Sequence, residues 1–519
     1  MSDHTTALPE LSPEPSRRNN RGLLAIVASV LAVVLIAGGG YAAWQFFAGG
    51  GPRPAEVLPV STFALVTLDL NPSGGQKVEA IKTLRKFPSW KKRTGLTPDS
   101  DVIKAIFDEA TKDGPCKSLD YERDVKPWIG NRAAFGGVEV GDKPAPMLAL
   151  QITDRENAKP GFAELVKCSE ANKNDDFGWT VTDDYIIASD STPHAEAIAS
   201  EGKKSPLSEN ADFQKWTEEA GGPGILNAYV GRKSLKILSD SMGSDIGGLT
   251  GGGADTGKDF TDAMKDFKGA AAGLKFADGG IELAFAGGGA TDEGGKTVGK
   301  HVGALPKDTA AVVALSVPER ILKELKSGSS EDSMFSLGEL FGEGTGLDLP
   351  DDLITLLGDS MSISVGGDAP ANLNEVSGPG DVPLGLLVHG DDAKIKAVIA
   401  KVEAKTGYKL SDLQATVSSG DGKVAVATNE DYAESLLGDG ALADSEAFKD
   451  VVSHPDDAQA LFYVSLQNEW MDALREVAAE ENDKELDEIV DNLAVLRAVG
   501  ASAWSEGDTG HGLIRVALK

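Results

Sequence analysis

A weak internal repeat is the feature of this sequence that most constrains its fold. The segment VLPVSTFALVTLDL, residues 57–70, is echoed by ALPKDTAAVVALSV, residues 304–317, with a Leu-Pro pair, a threonine three residues later and a short apolar stretch. Further segments match in the same order: 127–152 with 355–370 and 381–390, 185–216 with 423–451, and 225–238 with 460–474. These collinear matches predict a tandem duplication with halves at 57–288 and 304–519, joined by a Gly-rich junction at 289–303.

Each half has the pattern of short strands interrupted by helices. Apolar residues recur at helical spacing at Phe162, Leu165 and Val166 in the first half and at Ile395, Val398, Ile399 and Val402 in the second. Short β-rich runs at 63–70, 147–152, 423–428 and 512–518 alternate or are wholly apolar, as strands do. Several connections are too short for the helix that a parallel pair needs. We therefore expect an α+β fold of mostly antiparallel sheets with helices packed on one face.

An uncharged apolar run at Leu23–Phe47 is long enough for a transmembrane helix. Crossing a hydrocarbon core of about 30 Å takes about 20 apolar residues, and Tyr41 and Trp44 stand where an interfacial aromatic belt is expected. A cleaved signal peptide is the alternative, because the small residues 37–39 resemble a cleavage site. The apolar and aromatic residues that continue to Phe47 favour a retained anchor, which makes the lipid bilayer the partner of this segment.

Positive charge before the run sets its orientation. Arg17, Arg18 and Arg21 lie immediately before it. By the positive-inside rule, residues 1–22 form a cytoplasmic tail, which we expect to be disordered. After a linker at 48–56, the rest of the chain lies outside the cytoplasm. The sequence thus predicts a single-pass protein of the cell membrane with an extracytoplasmic C-terminal region, and its tail is too short to hold the output domain of a sensor.

Composition and cysteine content narrow the partners further. Hydrophobic residues make up 41% and charged residues 25% of the chain, as in a folded globular protein. The formal net charge of −31 argues against nucleic acid as a partner, because a polyanion would be repelled. Cys116 and Cys168 are the only cysteines, and in an oxidising compartment we expect them to form a disulfide within the first half.

Motifs that would indicate catalysis, a metal or a cofactor are incomplete or absent in this sequence. Residues 290–297, ATDEGGKT, approach a phosphate-binding loop but lack its first glycine, and Pro306 leaves little room for the helix that must follow. The six histidines have no zinc-ligand spacing, and no G-x-S-x-G elbow is present. Ser360 aligns with Arg132 in the repeat, so the halves share no nucleophile there. We therefore expect no cofactor and nominate no catalytic or metal-binding residue.

Three blocks of the first half carry a family resemblance. They are LDLNPSGGQK at 68–77, LRKFP at 84–88 and DVKPWIG at 124–130. Together with the Leu-Pro and the anchor, they resemble the actinobacterial membrane proteins grouped as domain of unknown function 3352. The chain has Asn71 where that family more often has Asp. The resemblance implies an anchored topology and brings no activity with it.

The first of these blocks is also the candidate ligand motif. Its residues of interest are Asn71, Ser73, Gly74, Gly75 and Lys77. Pro and Gly at this position are typical of a turn that starts a helix, which needs no ligand to explain it. Alternatively, the lysine and the glycines could meet an anion at the helix N-terminus. The second half has no such glycines, so any site of this kind belongs to the first half alone.

These observations favour a non-catalytic binding or interaction module of the cell envelope, whose partner is an envelope protein or polymer. The alternative is an extracytoplasmic hydrolase with dispersed catalytic residues. A deep pocket with paired carboxylates, or with a histidine and a carboxylate, would favour the enzyme. A broad groove between the halves would favour binding.

Overall fold

The structure, a computed structural model, has one antiparallel sheet running through its described residues. These are residues 52–70, 79–80, 82–88, 101–112, 116–169, 177–234, 236–237, 266–277, 279–289, 296–317, 344–367, 378–467, 471, 475 and 484–519. The predicted tail and anchor, residues 1–22 and 23–47, lie outside this part of the chain. Within it, no helix is both long enough and apolar enough to cross a membrane.

The sheet contains 16 strands. They are β1 (Thr62–Asp69), β2 (Ile129–Val140), β3 (Lys143–Ile152), β4 (Gly178–Val181), β5 (Tyr185–Ser189), β6 (Leu226–Gly231), β7 (Gly269–Ala277), β8 (Gly280–Gly288), β9 (Ala311–Ser316), β10 (Ser360–Val365), β11 (Leu384–His389), β12 (Thr416–Gly420), β13 (Lys423–Ala427), β14 (Ala460–Ser465), β15 (Leu496–Glu506) and β16 (Thr509–Leu518).

Helices pack on this sheet. They are α1 (Pro54–Val57), α2 (Val102–Thr111), α3 (Arg155–Cys168), α4 (Thr192–Lys204), α5 (Ala211–Glu219), α6 (Gly299–Gly303), α7 (Asp351–Leu357), α8 (Asp392–Thr406), α9 (Glu430–Leu437), α10 (Glu446–Val451) and α11 (Lys484–Leu493). A π-helical turn spans Tyr121–Val125.

The two halves of the chain have the same strand order. Every neighbouring pair is antiparallel. From the centre outward, the first half runs β8-β7-β6-β1-β2-β3-β5-β4 and the second runs β16-β15-β14-β9-β10-β11-β13-β12. Each strand of one half thus has a counterpart in the other that comes eight strands later in the chain.

The halves meet where β8 pairs with β16. Ala284 is opposite Leu513 in this pairing, and each is the fifth residue of its strand. Because equivalent strands pair antiparallel about equivalent residues, the seam has local two-fold symmetry. The sequence leads us to expect a separate layout for each half, whereas the structure continues one sheet across the seam, since pairing β8 with β16 leaves neither as an exposed edge.

Helices cover both faces of the sheet, which corrects the expectation of a single helical face. On β5, Tyr185 and Ile187 belong to one core, and Ile186 and Ala188 to another. Alternate residues of a strand point to opposite faces, so these cores lie on opposite sides. β13 shows the same split, with Ala425 in one core and Val424 in another. The wholly apolar runs in the sequence reflect this burial on both faces.

The predicted helical faces are confirmed. Phe162 and Val166 of α3 and Ile395 and Val398 of α8 are buried, as their spacing requires. The junction predicted at 289–303 contains the short helix α6, whose Val302 is fully buried in the core of the second half. The apolar side chains within this glycine-rich stretch explain why part of it packs.

A repeated backbone contact fixes α1 and α6 in their respective halves. Leu207 N donates to Leu58 O at 2.7 Å in the first half, and Leu442 N donates to Leu305 O at 3.0 Å in the second. Both acceptor residues are the leucine of the Leu-Pro pair, and both have fully buried side chains. The Leu-Pro recognised in the sequence therefore anchors the entry of the chain into each half.

Cys116 and Cys168 form a disulfide with a Cα–Cα distance of 5.0 Å. It ties the segment before the π-helical turn to the end of α3. The aromatic side chains of Trp128 and Phe162 pack edge-on within the core beneath it, with ring centroids 6.4 Å apart. The bridge is thus a staple for the outer part of the first half.

Candidate functional site

A cavity of about 180 Å³ lies on the face of the first half that α1 and α5 cover. Strands β1 and β6 form its floor, and α1, α5 and the turn after α5 enclose it. Its apolar lining includes Leu65, Phe213, Ala220 and Tyr229. Concave, mostly apolar sites with a few polar groups are the usual form of small-molecule sites in proteins.

Two neighbouring strands supply a polar strip on the cavity floor. Thr67 of β1 pairs with Asn227 of β6, and the Asn227 amide donates to the Thr67 hydroxyl at 3.2 Å. The Asn227 carbonyl oxygen accepts from Gly224 N at 2.6 Å. A Cβ on Gly224 would lie 2.2 Å from the carbonyl oxygen of Leu274, so a larger residue would displace this turn. The asparagine side chain is therefore held in one orientation.

An ion pair stands at the end of that strip. Asp69 lines the cavity and accepts from Arg132 Nε at 3.0 Å. Their side chains are 15% and 9% exposed, so the pair is largely withdrawn from water. A buried ion pair stabilises little by itself but is costly to break, because the remaining charge keeps its desolvation penalty.

The row of polar side chains continues beyond the ion pair to the start of the described chain. Gln151 of β3 pairs with Tyr185 of β5, and the Tyr185 hydroxyl donates to Pro52 O at 2.7 Å. Burial raises the pKa of Tyr185, so it stays a protonated donor. The segment that leads into α1 is thereby tied to the sheet beside the cavity.

The second half has the same scaffold but no polar strip. Leu65 pairs with Tyr229 in the first half, and Val312 with Tyr463 in the second, which aligns the two registers. Two residues further along, the counterparts of Thr67 and Asn227 are Ala314 and Leu461, paired with each other and both 2% exposed. The position that is a polar cavity floor in one half is a packed core in the other.

The ion pair is replaced in the same way. Asp69 pairs with Arg132 in the first half, and at the equivalent place Ser316 pairs with Ser360 in the second. The sequence alignment of Ser360 with Arg132 already indicated this difference. The signal that could have revealed the site was therefore a pair of charges at positions where the repeat has small or apolar residues. Thr67, Asp69 and Asn227 are therefore site residues that the sequence did not predict.

A different cluster occupies the second half. His301 of α6 stacks on His389 of β11, with ring centroids 3.6 Å apart, and His301 Nδ1 lies 2.9 Å from Ser360 Oγ. Burial, together with His301 and Lys423 nearby, lowers the pKa of His389 to about 4. Burial likewise lowers the pKa of His301. Both imidazoles are therefore neutral near pH 7, and one of them contacts a serine hydroxyl.

The structure describes only some of the residues nominated from the sequence. Asn71, Ser73, Gly74, Gly75 and Lys77 lie outside the described residues, so the structure does not test the helix-start motif. The cysteines form the expected bridge on the other face of the sheet. Among the described residues, no group of three or more His, Cys, Asp or Glu side chains is arranged to hold a metal ion.

Comparison with known proteins gives a family match over part of the chain and no activity. No curated protein matches this chain. Residues 25–181, which include β1 to β3 and the disulfide, match the model of the family described as "Protein of unknown function (DUF3352)".

Proposed function

We propose that this chain is a cell-envelope protein that binds a ligand in the cavity of its first half and catalyses no reaction. The observation that supports this proposal is the difference between the two halves at equivalent positions of the sheet. With one strand order in both, only the first half keeps Thr67, Asn227 and the Asp69–Arg132 pair where the second packs apolar or small side chains. The second half shows that packed side chains can fill this position. Keeping polar groups and a cavity there costs the first half stability, and a ligand site explains why it does so.

The proposal includes a tandem duplication. It is supported by the equal strand orders, the repeated hydrogen bond to the leucine of each Leu-Pro, and the buried Tyr229 and Tyr463 at equivalent positions. One copy would then have kept or gained the ligand site while the other became a packed support. The seam between β8 and β16 holds the two in one sheet.

The proposal also includes an anchor at 23–47 and an extracytoplasmic location, of the kind implied by the resemblance to actinobacterial membrane proteins. The uncharged run, the arginines before it and the disulfide support this location, since disulfides persist in oxidising compartments. Protease added to intact, wall-stripped cells should degrade the region after residue 47 and spare the tail. Protection of the large region would contradict the location, and release of a soluble form would indicate a cleaved signal peptide.

Binding is tested by making the first-half floor resemble the second. The double variant Thr67→Ala/Asn227→Leu installs the side chains that the chain itself uses at Ala314 and Leu461. In a ligand-observed NMR screen of small molecules on the full-length protein, we expect at least one to bind the parent and not this variant. Leu461→Met, at the equivalent place in the second half, is the matched control and should bind normally. If no molecule distinguishes the variant from the parent, the cavity is not the ligand site.

A hydrolase is the second candidate function, and two observations favour it. Ser360 contacts a neutral imidazole, His301, that could take its proton, and the cavity is lined by two carboxylates, Glu56 and Asp69. Against it, Ser360 is only 2% exposed, and Asp69 is occupied by Arg132. A fluorophosphonate probe would label a reactive Ser360, and we expect no label. Labelling that is lost in Ser360→Ala and in His301→Gln would establish the enzyme instead.

A further inference from the structure

We propose that the cavity of the first half takes a compact, uncharged, mostly apolar molecule that carries one hydroxyl group. This inference rests on the proposed function, because it names the chemistry of the ligand for the same cavity. Three features limit the class of ligand: the size of the cavity, its apolar wall and the charges on its lining.

The size excludes a chain molecule as the occupant. The cavity measures about 180 Å³. An apolar protein cavity of about 150 Å³ holds one benzene molecule. There is thus room for a single ring or a short branched chain with a small substituent, but not for a stretch of peptide or polysaccharide. The envelope polymer expected from the sequence could enter only with an end group, so a small molecule fits better.

The apolar wall favours a ring. Phe213 of α5 and Tyr229 of β6 both line the cavity and meet edge to face, with centroids 5.1 Å apart and planes at 81°. Burial raises the pKa of Tyr229 to about 12, so its ring carries no charge at neutral pH. Leu65 and Ala220 complete the surface around this pair. An aromatic ligand can extend the edge-to-face arrangement, which adds to the gain from burying its area.

The polar strip defines the other end of the ligand. Thr67 Oγ1 accepts from Asn227 Nδ2, which leaves the proton of the Thr67 hydroxyl for another acceptor. Asp69 is two residues further along β1, on the same face of the sheet, and also lines the cavity. A hydroxyl group on the ligand satisfies Thr67, because its oxygen accepts that proton in a hydrogen bond, and it brings no charge beside the Asp69–Arg132 ion pair.

The charges on the lining exclude an ionic ligand. Glu56 and Asp69 contribute two carboxylates and Arg53 one guanidinium. Asp69 is paired with Arg132, so Glu56 and Arg53 leave the lining with no excess of positive charge to hold an anion, in a protein whose formal net charge is −31. A cation would lose its hydration in a mostly apolar cavity, where Asp69 is already paired with Arg132. A neutral molecule avoids both penalties.

Three probes of one shape separate these requirements: p-cresol with a hydroxyl, toluene without it, and p-toluate with a carboxylate. We would measure their binding to the full-length protein by calorimetry. We expect p-cresol to bind about fivefold more tightly than toluene, since one hydrogen bond is worth about 1 kcal/mol. We expect p-toluate not to bind. Thr67→Val should remove the preference for p-cresol, and Thr67→Ser, which keeps the hydroxyl, should restore it.

The outcomes separate this inference from the proposed function. Equal binding of toluene and p-cresol, or tighter binding of p-toluate, would overturn the ligand class. Suppose that none of the three probes binds, but another molecule binds the parent and does not bind Thr67→Ala/Asn227→Leu. The cavity is then a ligand site, and the ligand class inferred here is wrong. If the double variant binds every molecule that the parent binds, the proposed function itself is wrong.

Discussion

Arg515 of β16 donates through Nε to Glu282 of β8 at 2.9 Å, and the same two residues are opposite each other in the strand pairing. This ion pair crosses the seam between the halves. Its side chains are 30% and 18% exposed, so it is shielded from water more than most of the surface pairs of the molecule. The seam thus combines a backbone ladder with a partly buried charge contact, and both hold the two halves in one sheet.

Replacing this arginine should weaken the seam. We expect Arg515→Met to lower the free energy of unfolding by about 1 to 2 kcal/mol and to broaden the urea transition, because Glu282 keeps part of its desolvation cost without the guanidinium. The measurement is urea denaturation of the full-length protein followed by circular dichroism. Lys204→Met, which breaks the exposed pair with Glu201, is the control and should change stability by less than about 0.5 kcal/mol. An equal effect of both substitutions would show that the ion pair at the seam contributes no more to the free energy of unfolding than an exposed pair does.

The stacked histidines should make the second half sensitive to acid. The folded protein holds His389 neutral down to a pKa of about 4, whereas an unfolded chain has a histidine pKa near 6.5. The unfolded state therefore binds a proton between these values that the folded state does not. Stability should fall as the pH drops from about 6.5 to about 4, by on the order of 1 to 3 kcal/mol.

His389→Gln tests this origin of the acid sensitivity. It removes the titrating group, so the variant should lose less stability than the parent over the same pH interval. Ser362→Ala on the neighbouring strand β10 removes no titratable group and should follow the parent. Thermal unfolding at closely spaced pH values gives the comparison. Parallel curves for His389→Gln and the parent would rule out this histidine as the cause.

The disulfide should stabilise the first half alone. The bridged residues, Cys116 and Cys168, are 52 apart in sequence, and in the entropic model closing such a loop restricts the unfolded chain by about 4 kcal/mol. The variant Cys116→Ser/Cys168→Ser should therefore lower the hydrogen-exchange protection of β2, β3 and β5 while leaving β9 to β11 unchanged. Titration of the unfolded, unreduced parent should find no free thiol. Two free thiols, or unchanged protection near α3, would contradict the prediction.

Much of the fold could be predicted from the sequence, because local patterns and the matching segments of the two halves indicate it. The helical spacing at Ile395 and Val398 gave α8, and the Leu-Pro pairs marked the entry into each half. The continuous sheet could not be predicted, since nothing local in β8 or β16 indicates that the two strands pair across an interval of the chain. The short connections predict antiparallel pairs, and they carry no information on whether helices cover one face of the sheet or both.

The candidate site was harder to predict for a related reason. Thr67 and Asn227 are far apart in sequence and become neighbours only through the pairing of β1 with β6. Neither residue belongs to a motif. Their counterparts Ala314 and Leu461 look like ordinary core residues, so the contrast becomes informative only once the registers are aligned. The motif nominated from the sequence, around Gly74 and Gly75, is contiguous and can be recognised without the fold.

The difference between the halves at the Asp69–Arg132 ion pair can be measured as a change in the free energy of unfolding. Asp69→Ser removes the carboxylate that Arg132 contacts, and we expect it to cost about 2 to 4 kcal/mol, because a 9% exposed guanidinium keeps its desolvation penalty. The double variant Asp69→Ser/Arg132→Ser reproduces the Ser316 and Ser360 pair of the second half. Its loss should be smaller than that of the single variant, since the guanidinium that lost its carboxylate is gone as well. Urea denaturation of the parent, both single variants and the double variant gives the coupling energy, and additive losses would show that the pair is not coupled.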